Sequence, residues 1–282
     1  MDQIKSHADA EQHKHRVSSV FNTVSADYDN AALRFFPFTA DRMVDYLKPH
    51  RGWTVLDVAT GTGALCVPLA QAVGQEGRVT GIDLSEGMLA RAEENMKKMS
   101  LENVDFFQMD AEQPEFRSDY FNAVTCSFGL FFIPDMAKAL TQWRRVTHPN
   151  GMVLFSSFTE KAFAQLGECF VEDLVAASVD MTDRPMASER LKDADACRAL
   201  MMETGYINIQ QATMQMGYHL ADENAWWDAV WGAAMRGLLD LVPASEREAF
   251  KAKHLKRIAE LRTEDGLWMD VEVRLTMGQV PE

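Results

Sequence analysis

Positive charge is scarce in this chain: 28 Lys and Arg stand against 42 Asp and Glu, a net charge of -14 with a sequence pI near 5.0. No surplus of cations exists to neutralise phosphates or anionic headgroups, which argues against nucleic acid as a partner. Long apolar runs are missing as well. No uncharged stretch approaches the ~18 residues that a membrane span needs, and the first twenty residues, MDQIKSHADAEQHKHRVSSV, contain no apolar signal segment. A soluble, unprocessed chain without an integral membrane segment is expected. The four cysteines, Cys66, Cys126, Cys169 and Cys197, form no C-x-x-C pair, which speaks against a zinc site and a disulfide framework and for a reducing, cytoplasmic setting. His7, His13 and His15 lack further ligands at helical or hairpin spacing, so no metal is expected and the leader reads as a solvated tail. Internal repeats and low-complexity linkers are absent too, and the 282 residues read as one domain.

What is present is a rhythm of strands and helices. An amphipathic helix from Val17 to about Val24 and a second one in FPFTADRMVDYL, closed by Pro49 and Gly52, open the chain. Strand-like runs then fall at 54 to 59, 78 to 83, 104 to 109, 122 to 128 and 152 to 158, with helical stretches at 64 to 73, 86 to 99 and 136 to 146. Strands separated by helices of this length predict βαβ units and a parallel sheet. Asp135 is a candidate N-cap for the third crossover helix, and His148-Pro149-Asn150-Gly151 reads as stop and turn before a strand that begins at Met152. Residues 158 to 202 read as mostly helical, YINIQQATMQM as a sixth strand, and 218 to 266 as an inserted helix pair whose second member opens with a Ser245–Glu248 capping box. LWMDVEVRLTMG, alternating from Val271 onward, predicts the last strand.

The first strand runs into a glycine-rich turn, VLDVATGTG, residues 55 to 63. A strand, such a turn and a helix in series are how open α/β sheets bind nucleotides at the carboxyl ends of their strands. The third small residue of the dinucleotide fingerprint is replaced here by Cys66. Asp57 lies four residues before Gly61; a carboxylate beside the turn repels a pyrophosphate and attracts a ligand with an ammonium and a sulfonium. S-adenosylmethionine has both. Asp83, at the end of the second strand and 22 residues after Gly61, stands close to the ~20 expected for an acid that binds ribose hydroxyls. Asp110, after the third strand, is placed to accept from an adenine amino group. One such acid alone is more often a turn or cap residue. Three at consecutive strand ends beside a glycine turn define a cleft.

On these residues the sequence resembles the class I S-adenosylmethionine-dependent methyltransferases over about 17 to 217. VFNTVSADYDN and SFGLFFIPDMAKAL are similar to stretches of the ubiquinone/menaquinone-biosynthesis C-methyltransferase family. The resemblance implies a Rossmann-like, seven-stranded, mostly parallel sheet of order 3-2-1-4-5-7-6, with helices on both faces and the last strand antiparallel. It implies that Asp57 and the turn from Thr60 through Gly61 to Gly63 hold the methionine part of the cofactor and Asp83 the ribose. Leu84 and Met88 would lie against the adenine, Asp110 and Ala111 at its edge, and Ser127, Phe128 and Tyr28 near the methyl end. Residues 1 to 50 would form a helical lid, and 158 to 202 and 218 to 266 helical caps over the substrate. Two departures stand out: Phe131-Phe132 replaces the family's Arg-Asn after the fourth strand, removing a polar grip on a quinone-type ring, and the roughly fifty residues before the last strand are additional.

Methyl transfer is an in-line displacement in which holding the reactants in near-attack geometry supplies up to ~7 to 11 kcal/mol. An acid-base group is needed only where the acceptor must shed a proton. Tyr28, His15 and His219 are the candidate bases, none with a motif behind it. Phe35, Phe36, Phe38, Phe131 and Phe132, with Trp226, Trp227 and Trp231, supply either core packing or an apolar pocket for a flat or long-chain acceptor. The expected activity is methylation of carbon, oxygen or nitrogen on a small, largely apolar or aromatic acceptor, with S-adenosylhomocysteine as product; a homodimer is compatible with it. An NAD(P)-binding oxidoreductase and a cofactor-binding module without catalysis are the competing readings.

Overall fold

The middle strands are apolar on both faces, and the computed structural model, which describes residues 7–182 and 186–282, shows why. β1 (Thr54–Val58), β2 (Arg78–Asp83), β3 (Val104–Gln108), β4 (Phe121–Ser127) and β5 (Thr147–Phe158) run parallel, joined by crossover helices except between β3 and β4, where a loop makes the connection. In β1, Val55, Leu56, Asp57 and Val58 are all buried, as a strand covered on both sides requires. The crossovers are α3 (Cys66–Val73), α4 (Glu86–Met99) and α5 (Met136–Val146). Two begin at side-chain caps that fix where the chain leaves the cleft: Ser85 accepts from the Met88 amide at 3.1 Å and Asp135 from the Lys138 amide at 2.9 Å.

Beyond β5 come α6 (Ala164–Ala176), a 3-10 turn at Ala187–Leu191, α7 (Ala194–Glu203) and β6 (Ile207–Gln215). The chain then makes β7 (Tyr218–Leu220), α8 (Glu223–Gly232), α9 (Arg236–Leu239), α10 (Arg247–Ala259) and β8 (Leu267–Met269) before β9 (Glu272–Gln279). β9 enters antiparallel between β5 and β6, which gives a seven-stranded sheet in the order β3-β2-β1-β4-β5-β9-β6. This is the expected topology. Among the described residues no helix is long and apolar enough to cross a membrane.

Four local expectations differ. The leader is no solvated tail: α1 spans His7–Val24, with Lys14 and Val24 buried, and residues 1 to 6 of the expected lid lie outside the described residues. The His148–Gly151 turn exists, but as a bulge inside β5, where Thr147 pairs with Phe121 and pairing resumes at Met152 with Ala123. The insertion after β6 holds three helices and a pair of short strands, Tyr218 standing opposite Met269, so the predicted last strand splits into β8 and β9. The Ser245 capping box does not form. The chain enters α10 through a turn in which the Glu246 amide donates to the Pro243 carbonyl (2.8 Å), and Glu246 provides no side-chain cap. Residues 183 to 185 of the expected 158 to 202 cap lie outside the described residues.

Candidate active site

The glycine turn is built against the second strand. The Thr60 amide donates to the Ile82 carbonyl at 3.0 Å, and the Gly61 amide to Asp83 Oδ2 at 2.9 Å. Gly61 has φ +56 with open space where a side chain would project, so the turn needs glycine for its dihedral and leaves room in front of it. Ala59 (φ 52) and Phe128 (φ 54) also sit in the left-handed region, which costs a non-glycine residue about 1 kcal/mol or more. Both lie at strand exits and both border the same cleft. Gly129 lets these exits approach, since a Cβ there would stand 2.5 Å from the Ala59 Cβ.

In front of these strand ends is a cleft enclosing about 760 Å³. Asp83 is its acidic wall. Its Oδ2 takes the Gly61 amide and its Oδ1 the Ser85 amide at 2.9 Å, and each carboxylate oxygen keeps capacity for another donor. Burial raises the Asp83 carboxyl above its ordinary range while these backbone amides pull it down. The turn amide that would cradle a phosphate is thus already given to a carboxylate, so the cleft favours a ligand rich in donors over a pyrophosphate. Leu84, Met88 and Met109 supply apolar surface beside it, and Asp110 and Ala111 close the far end.

The remaining wall is α1. Lys14, Val17, Ser18 and Phe21, on one helical face, line the cleft. The Lys14 ammonium meets Asp110 at 2.7 Å and Glu112 at 2.9 Å. Burial lowers the Lys14 pKa, but the Asp110, Glu112 and Glu11 carboxylates outweigh it and carry it well above the usual lysine value. At the other end of α1, Asn22 Oδ1 accepts from the Ser85 hydroxyl (2.7 Å) and the Gly87 amide (3.0 Å). His13 Nε2 contacts the Phe132 carbonyl at 2.9 Å.

A second cavity of about 1040 Å³ adjoins the first, with Phe21, Tyr28, Phe128 and Phe132 as common walls. Its lining is mostly aromatic and aliphatic: Phe35 and Phe36 from α2 (Phe35–Leu47), Phe131 after β4, Phe158 at the end of β5, Phe163 beyond it, and Met235 before α9. The rings interlock, Phe128 stacking on Phe158 with centroids 4.3 Å apart and Tyr28 on Phe36 at 5.0 Å.

The structure brings nine of the sequence-predicted residues to the cleft: Gly61, Asp83, Leu84, Met88, Asp110, Ala111, Ser127, Phe128 and Tyr28. Asp57, Thr60 and Gly63 stand behind its wall. Asp57 Oδ1 accepts from the Thr125 hydroxyl at 2.8 Å and Oδ2 from the Thr60 hydroxyl at 2.7 Å, so this carboxyl braces the turn from below instead of lining the cleft. Burial pushes its pKa up to about 6, against the pull of the Thr60, Thr125 and Cys66 hydrogen bonds. Of the acids on β1 and β2, the one that meets the cleft is Asp83.

Two candidate bases move away from the site. His15 is exposed on α1, and His219 is exposed in β7, packed on Trp268 with centroids 5.0 Å apart; neither borders a cavity. Trp226, Trp227 and Trp231 pack within the insertion and leave the second cavity to Ala229, Ala233 and Ala234. Phe38 is exposed. Sequence reasoning missed Lys14, Val17, Ser18 and Phe21. Their spacing of three and four residues was the available signal, hidden by the charged residues between them.

Residues 8–218 match the ubiE/COQ5 methyltransferase family, and the chain belongs to it. It is an S-adenosylmethionine-dependent methyltransferase with the Rossmann-like fold. Aklanonic acid methyltransferase DauC of a Streptomyces species is 31% identical over 215 residues, covering 73% of this chain and 98% of that protein. The ubiquinone/menaquinone biosynthesis C-methyltransferase UbiE of Klebsiella pneumoniae is 30% identical over 224 residues, covering 73% and 89%. Among solved structures the YcgJ protein of Bacillus subtilis is similar in fold, with a TM-score of 0.58 and 18% identity over 87% of this chain and 99% of that one.

Proposed function

We propose that the enzyme methylates a small, largely apolar or aromatic acceptor bound in the second cavity, with the cofactor in the first. One observation carries this: the aromatic cavity adjoins the acid-walled cleft, with Phe21, Tyr28, Phe128 and Phe132 as their shared walls, so an acceptor in one would lie beside the reactive end of a cofactor in the other. In this reading Asp83 takes the ribose, Leu84 and Met88 lie along the adenine, Asp110 and Ala111 meet its edge, and the Gly61 turn with Ser127 and Phe128 borders the methionine end. Asp57 and Thr60 act from behind, by holding the turn. Residues 1 to 50 serve as lid, and 158 to 202 and 218 to 266 as cap, on a single domain.

When bound, S-adenosylmethionine supplies a methyl group on a sulfonium. The chain's own part is positioning and exclusion of water: interlocked rings hold a flat acceptor in one plane and keep the cavity dry. Tyr28 borders both cavities, and burial, with the Asp83 and Asp29 carboxylates, raises its hydroxyl far above the ordinary tyrosine value. It therefore stays a phenol and serves as a hydrogen-bond donor, not a base. An acceptor oxygen or carbon that arrives already ionised, as a carboxylate or an acidic enol does, suits such a site. An acid in the name of one relative and quinone biosynthesis in that of the other leave oxygen and carbon both open. All four cysteines are free and buried, which suits a reducing cytoplasm.

The test is transfer of labelled methyl from S-adenosylmethionine to a panel of hydroxyquinones, polycyclic aromatic acids and short aliphatic amines. Label confined to the ring compounds is the expected outcome. Label confined to the amines would overturn the acceptor assignment, and cofactor binding with no turnover on a metabolite extract would favour a non-catalytic module.

A further inference from the structure

The geometry points to Lys14 as the residue that couples occupation of the cofactor cleft to closure of α1, a positioning role exercised through Asp110. The inference rests on the reading of the cleft as the cofactor site. Lys14 is the one lysine or arginine that borders the cleft among the described residues, and its ammonium is 9% exposed at the side chain. Each of its three hydrogens has a carboxylate to go to: Asp110 at 2.7 Å, Glu112 at 2.9 Å and Glu11 at 3.1 Å. The first two belong to the segment that follows β3. Glu112 also accepts the Asp135 amide at 2.8 Å, at the entry to α5. One charge on the lid therefore ties together the exit of β3 and the entry of α5, the two segments that bound the base end of the cleft.

Asp110 accepts the Glu112 amide on Oδ1 at 2.9 Å and Lys14 on Oδ2 at 2.7 Å, and each oxygen keeps one further acceptor site. A ligand amino group at this edge must share the carboxylate with Lys14, so ligand and lid meet at the same group. Removing the ammonium would leave Asp110 and Glu112, both now within 3 Å of it, with the exposed Lys138 ammonium 3.6 Å from Glu112 as a weaker counter-charge, and would release α1 at that end. His13 on the Phe132 carbonyl and Asn22 on Ser85 and Gly87 fasten α1 through neutral groups only, which makes Lys14 the charged link among them.

The experiment uses S-adenosylhomocysteine as probe, calorimetry for its Kd, and amide exchange over residues 7 to 24. Lys14→Met, which keeps the aliphatic stem, is expected to weaken binding about tenfold or more and to speed exchange in α1; Lys14→Arg, which keeps the charge, is expected to stay within about threefold of the unmodified protein. A merely structural lysine would lower the melting temperature of the Met variant and leave its Kd unchanged, and that result overturns the proposal. Should Lys14→Met not fold, the unmodified protein decides: added S-adenosylhomocysteine must slow exchange across 7 to 24, and unchanged exchange overturns the coupling. No binding to the unmodified protein would sink the cofactor-site reading together with this one, whereas binding that Lys14→Met matches would sink the coupling alone.

Discussion

The acid-walled cleft and the aromatic cavity share four side chains, yet they are made in opposite ways. The cleft is formed where backbone is most constrained: strand exits at β1, β2 and β4, two non-glycine residues in the left-handed region, and a carboxylate that receives two amides. The cavity is formed by side chains from helices and loops far apart in the chain, from Phe35 to Met235, held by ring packing. A backbone-made site tolerates little change and binds one ligand class. A site lined by side chains can be reshaped one ring at a time. The family resemblance follows the first, and the departures, Phe131-Phe132 and the long insertion, fall in the second.

The largest effect expected from testing this contrast is on stability. Phe35→Ala should cost about 3 to 5 kcal/mol in urea or thermal unfolding, because Phe35 is buried among four other rings, while the Kd for S-adenosylhomocysteine changes less than about threefold. A larger loss of cofactor affinity than of stability would mean the two cavities are not separately built. Next comes Asp83→Ala. Losing the acceptor of two amides and, in the proposed reading, of the ribose hydroxyls should weaken S-adenosylhomocysteine about a hundredfold, roughly 2 to 3 kcal/mol.

A smaller effect belongs to Asp57→Asn, which braces the turn without touching the ligand; its calorimetric Kd should rise by about tenfold or less, and an effect equal to that of Asp83→Ala would place Asp57 in the cleft after all. Its pH signature has a definite sign. The folded carboxyl titrates near 6, above the usual range, so the folded protein holds the proton more tightly than the unfolded one. The stability this confers is complete below about pH 4 and is lost as pH rises through about 6. Unfolding curves between pH 4 and 7 should show that decline more steeply in the unmodified protein than in Asp57→Asn, where the raised Asp83 carboxyl remains.

The smallest effect sits in the cap. His254, in α10, is fully buried between Asp173 of α6 and Trp226 of α8. The Trp226 indole can only donate, at 2.9 Å to Nε2, so the imidazole is neutral and its Nδ1 hydrogen goes to Asp173 Oδ2 at 2.7 Å. Burial lowers the His254 pKa against the pull of Asp173. Its contribution to stability is therefore present above the ordinary histidine value near 6.5 and is lost as pH falls through the depressed one. Near-ultraviolet dichroism of the tryptophans should weaken on acidification before the sheet unfolds, and His254→Gln should remove the early step.

How much of this was legible in the sequence follows from the same contrast. The order of the sheet, the turn at Gly61 and the acids at 83 and 110 could be read because glycine positions, strand alternation and crossover length are local and periodic. Whether an acid at a strand exit faces the ligand or lies beneath the turn is decided by neighbours on other strands, here Thr125 on β4, and no spacing reveals that. α1 was half seen: Val17 to Val24 reads as amphipathic, but the residues before it are polar, and Lys14 counts as surface until Asp110 and Glu112 are brought to it. His15 and His219 were weighed as bases from chain position alone, and position does not say which side of a helix or strand turns outward. The aromatic cavity was visible only as a surplus of phenylalanine, since its walls exist after the chain has folded.

The two short strands β7 and β8 give the insertion a neck. Residues 221 to 266 leave and return at one place, Tyr218 beside Met269, and the entropy of closing such a segment depends weakly on its length. Evolution can therefore lengthen, shorten or replace everything beyond the neck without asking the sheet to re-register. Descendants of such a scaffold would be free to trade acceptors while inheriting an unchanged methyl donor, and a graft made at 218 and 269 is the natural unit for redirecting the enzyme by design.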